Sequence, residues 1–139
     1  MTGIQDVLFG DPDPEPAVKA LTIRQPWASL IMAGIKDVEN RSKPTRFRGT
    51  IAVHAGQGVS AEGMAAHGHL ADSYPAGAII GTVDIVDCVR DSGSEWAMDG
   101  HWHWILANPR PCAPVRADGK LSFWTPQPDA WEQVLATLA

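Results

Sequence analysis

The chain has 139 residues, a net charge of −5 and a hydrophobic content of 45 %. This length suits one domain with its own core, and no apolar run approaches the roughly 20 residues that cross a bilayer. No basic start followed by an apolar run indicates a signal peptide, and two cysteines, Cys88 and Cys112, are too few for a disulfide scaffold. The low cysteine count makes a reducing cytoplasm the expected compartment. We also expect a monomer.

The charge is unevenly distributed. Residues 1–16 contain four acidic residues and no Lys or Arg, so the rest of the chain carries −5 − (−4) = −1. Alternating acids and prolines in 11–16 predict a flexible or extended arm, which leaves 17–139 as the single domain. Residues 36–48 hold five basic and two acidic residues, a local +3. A small basic surface patch on an otherwise near-neutral domain suits binding of a short nucleic-acid segment or a single nucleotide rather than a long duplex.

The first elements are short. Residues 20–23 are predicted to form a strand, and Pro26 suits the first position of a helix whose apolar face contains Trp27 and Ile31. Gly34 can adopt the left-handed backbone conformation that ends such a helix. The alternation in 37–41 predicts a strand with one polar side. That side presents Asp37, Glu39 and Arg41.

Residues 50–54 alternate again, which directs Ile51 and Val53 inward and places His54 on the polar face. A turn at 56–58 should lead to Ser60, which can cap a weak helix over 61–70. The two glycines of that turn could cradle an anion, but one G-x-G is a weak signal.

The second half contains the strongest predicted strand, 77–89, then a loop over 92–100 and a strand over 101–108. The prolines of 109–114 should keep the next stretch from acting as a central strand. A last strand ending at Trp124 and a helix over 129–138 complete the chain. Many short strands with two or three small helices favour a closed or nearly closed barrel.

The candidate ligand-binding or catalytic residues are Lys36, Glu39 and Arg41. A lysine held in a cleft can act as a general base if burial lowers its pKa, or as a phosphate or carbonyl clamp if it stays charged. The Arg41 guanidinium can donate two hydrogen bonds at once to a phosphate or to the edge of a base, and Glu39 can accept hydrogen bonds from an exocyclic amine. The alternative is a structural salt-bridge cluster.

Tryptophan is abundant, with six residues in the chain. Trp27 and Trp102 could stack on unpaired bases, whereas Trp104 and Trp124 are better suited to the core. The alternation of His101 and His103 after Asp99 invites a metal interpretation, but too few ligands surround them, so we expect neither a metal nor a cofactor.

The run Gly34 to Arg41, GIKDVENR, resembles the G-x-K-x-x-E-x-R signature of ASCH domains. It follows Arg24-Gln25-Pro26-Trp27 and precedes 49–56, in family order. A second block, 103–111, is similar to the end of the same domain, so the resemblance covers about 18–126.

The resemblance implies an α+β fold, a small PUA-like β-barrel of five or six strands with two or three short helices. It also implies a partner that is single-stranded RNA or a modified nucleoside. We expect a ligand pocket formed by Arg24, Gln25, Trp27, Lys36, Glu39, Arg41, His54 and Trp102.

An enzymatic alternative also follows from the resemblance. Some ASCH proteins resemble ribonucleases, and a bacterial subgroup hydrolyses the acyl group of N4-acetylcytidine with a Lys, a Thr and a Glu. Lys36 matches that lysine, but Glu39 occupies the threonine position, so Thr45 or Thr50 would have to substitute. In a metal-independent hydrolase of this kind, Lys36 and Glu39 would be the catalytic pair.

Overall fold

The computed structural model describes residues 18–139. The predicted acidic arm, 1–16, lies outside them. The strands are β1 (Lys19–Gln25), β2 (Val38–Arg41), β3 (Gly49–Val59), β4 (Ala78–Val89), β5 (Trp102–Arg116) and β6 (Phe123–Trp124). The helices are α1 (Trp27–Met32), α2 (Ala61–His67) and α3 (Pro128–Thr137), and a 3-10 turn, Gly68–Leu70, follows α2. In the described range, no helix is both long and apolar enough to cross a membrane.

The six strands form one sheet in the order β2-β5-β4-β3-β1-β6. Neighbouring strands are antiparallel except β1 and β3, which are parallel. Four inter-strand steps separate β2 from β1, and a flat sheet would place them about 19 Å apart. Instead, Arg41 Nη2 on β2 donates a hydrogen bond of 3.1 Å to the Thr22 carbonyl on β1. The sheet is therefore strongly curled, which confirms the predicted small α+β, PUA-like fold.

Both faces of the sheet are covered. Ile51 and Val53 lie in a core cluster with α1, whereas Ala52 lies in a second cluster with Val134 of α3. Because side chains alternate along a strand, this second core lies on the opposite face of β3. The prediction that His54 points with a polar face is wrong, since His54 is only 2 % exposed.

The turns around α1 and α2 depend on local signals. Gly34 has the predicted positive φ of 76°, and Ser60 caps α2 by accepting a hydrogen bond from the Gly63 amide at 3.0 Å. Pro26 precedes α1 as its N-cap instead of occupying the first helical position. The predicted turn at 56–58 is also wrong, because these residues continue β3.

The proline-rich stretch of β5 agrees with the prediction that it would not act as a central strand. Among the described residues, 109–116 belong to the strand but pair only with β4. The pairing with β2 extends only over 102–105 of β5. The prolines therefore lie where β5 has a ladder on one side, and a missing amide donor is tolerated at such an edge.

Candidate functional site

A cavity of about 570 Å³ opens where the curled sheet brings β1 and β2 together. The walls come from β1, β2, α1, α2 and the loop between β4 and β5. Its ionisable and aromatic lining residues are Arg24, Trp27, Lys36, Glu39, Arg41, His67, Glu95, Trp96 and His101. We call this cavity the β1–β2 pocket.

Lys36 enters the pocket because the chain turns sharply after α1. The amides of Ile35 and Lys36 both donate to the Leu30 carbonyl, at 3.0 and 3.1 Å. Lys36 is 6 % exposed, and its Nζ donates to the Val38 carbonyl and lies 3.8 Å from Glu39 Oε1. Burial lowers the pKa of Lys36, and the negative charge of Glu39 opposes that effect.

Glu39 connects this lysine to Arg41. Glu39 Oε2 accepts a hydrogen bond of 2.9 Å from Arg41 Nε, and the two side chains project from the same face of β2, as the alternation predicted. The guanidinium carbon of Arg41 also lies 5.7 Å from the centre of the Trp104 ring. The result is a row of cation, carboxylate and cation along one wall of the pocket.

Aromatic rings form another part of the lining, and the centre of the Trp27 ring lies 5.8 Å from Lys36 Nζ. The Trp27 and Trp96 rings are 6.4 Å apart in an edge-to-face arrangement, and the His67 ring lies 5.7 Å from Trp27 and 4.9 Å from Trp96. Gly63 makes this packing possible, since a Cβ there would lie 2.6 Å from a Trp27 ring carbon. The buried Trp96 Nε1 has no hydrogen-bond partner within 18–139.

Two residues of the sheet hold the loop that carries Trp96. Asn40 Nδ2 donates to the Trp96 carbonyl at 3.0 Å, and Asn40 Oδ1 accepts from the Met98 amide at 2.9 Å. His103 Nδ1 accepts from the Ser92 amide at 3.1 Å, so its Nε2 carries the proton and donates to the Met98 carbonyl at 2.7 Å. His103 is thus a buried loop anchor.

Five of the eight predicted pocket residues meet in this cavity, and three lie outside it. Gln25 is 1 % exposed, and its side chain caps α1 through Ser29 and bonds to the Pro75 carbonyl. His54 faces a second cavity, where its Nδ1 lies 3.1 Å from Thr22 Oγ1. Trp102 is half-buried beneath the Arg90 guanidinium, at 4.9 Å.

Hydroxyl groups near Lys36 bear on the hydrolase alternative. Thr50 donates to Asp84 at 2.6 Å and Thr45 accepts from the Phe47 amide, and neither lines the pocket. Thr22 and Ser42 do line it. The Thr22 hydroxyl is engaged with His54 and with Trp124 Nε1, the latter at 3.0 Å.

Sequence reasoning missed several pocket residues, chiefly Trp96, Asn40 and His67. A tryptophan inside the polar 92–100 loop was a usable signal, because a large aromatic side chain in such a loop needs something to pack against. No comparable signal marked Asn40 or His67. Within 18–139, no group of three or more His, Cys, Asp or Glu residues is placed to hold a metal ion.

A curled six-stranded sheet with three short helices and a mixed-charge, aromatic pocket defines a small PUA-like α+β domain. The sequence model of the ASCH domain family matches residues 21–116, which is most of the chain. The protein therefore belongs to the ASCH domain family.

Relatives and solved structures agree with this assignment. Activating signal cointegrator 1 of Homo sapiens and that of Mus musculus are each 39 % identical over 82 residues. Each match covers 50 % of this chain and 14 % of the relative, so the similarity concerns a small part of the larger protein.

The crystal structure of ASCH from Zymomonas mobilis aligns with a TM-score of 0.57 at 13 % identity, covering 88 % of this chain and 96 % of that one. A point mutant of the same protein aligns with a TM-score of 0.57 at 12 % identity, covering 89 % and 100 %. At this identity the likeness concerns the fold alone.

Proposed function

We propose that the β1–β2 pocket binds an unpaired nucleobase of single-stranded RNA. The observation that carries this proposal is the joint presence, in one cavity, of the Trp27–Trp96 aromatic side and the row formed by Lys36, Glu39 and Arg41. Membership of the ASCH family supports it.

The two sides of the pocket suit the two parts of a base. Aromatic rings stack on the face of an unpaired base, and such stacking contributes about 1–3 kcal/mol per base. The edge of a base presents both hydrogen-bond donors and acceptors. Glu39 can accept from an exocyclic amine, while Lys36 and Arg41 can donate to ring nitrogens or carbonyl oxygens.

The shape of the site favours an unpaired base over a duplex. A cavity of about 570 Å³ lies within the usual range for small-ligand sites, and a base must leave the helical stack to enter it. The net charge of −5 also opposes the non-specific coating of duplex phosphates. Recognition of one splayed base in a short single strand satisfies both conditions.

Tryptophan fluorescence tests this proposal during titration with a single-stranded RNA of mixed sequence. We expect quenching by RNA, and about tenfold weaker binding in the Trp96→Leu variant because one stacking surface is lost. Trp102→Leu is the matched control, since Trp102 lies outside the pocket. Equal losses in the two variants would contradict a site at the β1–β2 pocket.

A hydrolase is the second candidate, and the environment of Lys36 favours it. A buried lysine with a lowered pKa beside a carboxylate has the features of a general base. Glu39 stands where the acetylcytidine-hydrolysing subgroup has threonine, so the nucleophile of that subgroup is absent from its usual position.

Mass spectrometry separates the two candidates. Single-stranded RNA and N4-acetylcytidine are incubated with the protein in EDTA, beside a Lys36→Ala control. Cleaved RNA or released cytidine that disappears in the variant would establish a metal-independent hydrolase. Unchanged substrates in both samples, together with RNA binding by the parent protein, would support a binding module.

A further inference from the structure

The loop that joins β2 to β3, residues 42–48, is basic and begins at the β1–β2 pocket. Its first residue, Ser42, and the preceding Arg41 both line the pocket. The loop then presents Lys43, Arg46 and Arg48, and contains no acidic residue. We call this segment the basic loop.

The basic loop has a defined backbone. Trp104 Nε1 donates to the Lys43 carbonyl at 3.0 Å, and Arg48 Nη1 donates to the carbonyls of Thr45 and Phe47, each at 3.0 Å. The Phe47 ring packs 5.6 Å from the Phe123 ring. The cationic side chains of this loop therefore project from a fixed base beside the pocket.

Most of this charge is available to a ligand. Lys43 and Arg46 are exposed, and in residues 18–139 no carboxylate lies within ion-pair distance of either. Arg48 Nη2 lies 3.6 Å from Asp87, but the two side chains remain 42 % and 58 % exposed. A pair this open to water contributes little, so it does not remove Arg48 from use.

We propose that the basic loop binds backbone phosphates of the same strand whose base occupies the β1–β2 pocket. The ligand is then an oligonucleotide and not a free nucleoside, which has no phosphate for the loop to bind. Seven residues span at most about 25 Å, so the loop contacts a few phosphates at most. This inference rests on the proposed function and specifies the class of ligand.

Charge removal at the loop tests the inference. Fluorescence anisotropy is measured with a labelled single-stranded RNA 8-mer of mixed sequence, for the parent protein and for Lys43→Gln/Arg46→Gln. We expect roughly tenfold weaker binding in the variant at low salt. The slope of log K against log salt should become shallower by about 1.4, since each single-strand phosphate contact contributes about 0.7.

The control variant, Arg110→Gln/Arg116→Gln, removes the same charge from part of β5 that does not pair with β2. We expect it to lose much less affinity than the Lys43→Gln/Arg46→Gln variant, because Arg110 and Arg116 lie six and twelve residues along β5 from Trp104, the residue whose indole bonds the Lys43 carbonyl. Parent-like binding and slope in the Lys43/Arg46 variant, or an equal loss in the control, would overturn the inference. Displacement of the RNA by an equal charge concentration of poly-glutamate peptide would overturn it as well.

An abasic 8-mer separates this inference from the proposed function. If the loop binds phosphates, the abasic strand should still bind and should lose affinity in the Lys43→Gln/Arg46→Gln variant. If the pocket binds a base, the ordinary 8-mer should bind more tightly than the abasic one. Equal binding of the two strands would contradict the pocket and leave the loop supported, whereas an abasic strand that is insensitive to the loop variant would contradict the loop alone.

Discussion

Arg41 and Thr22 are joined across the gap between the edge strand β2 and the inner strand β1, through a hydrogen bond of 3.1 Å from Nη2 to the carbonyl oxygen. The same guanidinium holds Glu39 through Nε at 2.9 Å. One side chain therefore both closes the curled sheet and fixes the carboxylate of the β1–β2 pocket.

Replacing Arg41 by lysine should break this double function. An ammonium cannot reproduce the fork that reaches Glu39 and Thr22 together, so we expect Arg41→Lys to bind RNA about tenfold more weakly and to lose about 1 kcal/mol in free energy of unfolding. RNA titration and urea unfolding measure the two effects. The control Arg116→Lys, far along β5, should change neither RNA affinity nor stability. Parent-like behaviour of Arg41→Lys would show that the paired hydrogen bonds to Glu39 and Thr22 are not needed.

Removal of the Glu39 charge should expose the cost of burying Lys36. In Glu39→Gln the ammonium remains 6 % exposed without its nearest anion, and we expect a loss of about 3 kcal/mol near neutral pH. Urea unfolding measures it. The double variant Lys36→Met/Glu39→Gln should recover part of the loss, because it removes the buried ammonium and leaves only the partly exposed Arg41 guanidinium without its carboxylate. Additive losses in the double variant would show that the two residues are not energetically coupled.

The lowered pKa of Lys36 predicts opposite pH trends for stability and for binding. The folded protein releases this proton at a lower pH than the unfolded chain does. Between the lowered pKa and the ordinary value of about 10.4, the unfolded state binds more protons, so the free energy of unfolding should rise with pH through the Lys36 contribution.

RNA binding that uses the Lys36 charge should instead weaken as pH rises through the same window. Titrations at stepped alkaline pH, with Lys36→Arg as the matched variant, measure this change. The arginine variant should keep its affinity there, since its side chain stays protonated. A parallel decline in both proteins would assign the pH dependence to another group.

Asn40 should control the pocket through the Trp96 loop. Asn40→Ala removes both hydrogen bonds to that loop, and we expect faster amide hydrogen exchange over 94–98 and several-fold weaker RNA binding. Asn40→Asp keeps an acceptor for the Met98 amide but loses the donor to the Trp96 carbonyl. It should show an intermediate effect, and unchanged exchange in both variants would contradict the anchoring role.

Deletion of residues 1–16 tests the prediction made for the acidic arm. The deletion changes the net charge from −5 to −1, and we expect an almost unchanged melting temperature together with tighter RNA binding at low salt. The affinity gain should shrink at high salt because the effect is electrostatic. A large drop in melting temperature would show that the segment contributes to the fold.

The part of the site that is local in sequence was predictable. Gly34, Lys36, Glu39 and Arg41 lie within eight positions, and the helix end plus the period-two alternation of a strand determine their arrangement. The structure brings these three charged residues into one pocket, as the pattern indicated.

Contacts between distant segments were not predictable in this way. His54 is buried because the segment 117–124, more than 60 residues later, packs over it, with the Ala117 carbonyl 2.7 Å from its Nε2 and the Trp124 ring 5.3 Å from its ring. Trp96 lines the pocket from a loop that Asn40 holds from across 56 positions. In both cases the local pattern of apolar and polar residues does not indicate which distant segment will pack there.

The most direct test of nucleobase binding compares one RNA sequence as a single strand and as a duplex, using the parent protein and Lys36→Ala at one salt concentration. We expect the single strand to bind at least about tenfold more tightly than the duplex, and this preference to shrink in the variant because a pocket contact is lost. Equal affinity for the two forms, unaffected by Lys36→Ala, would contradict recognition of an unpaired base in the β1–β2 pocket.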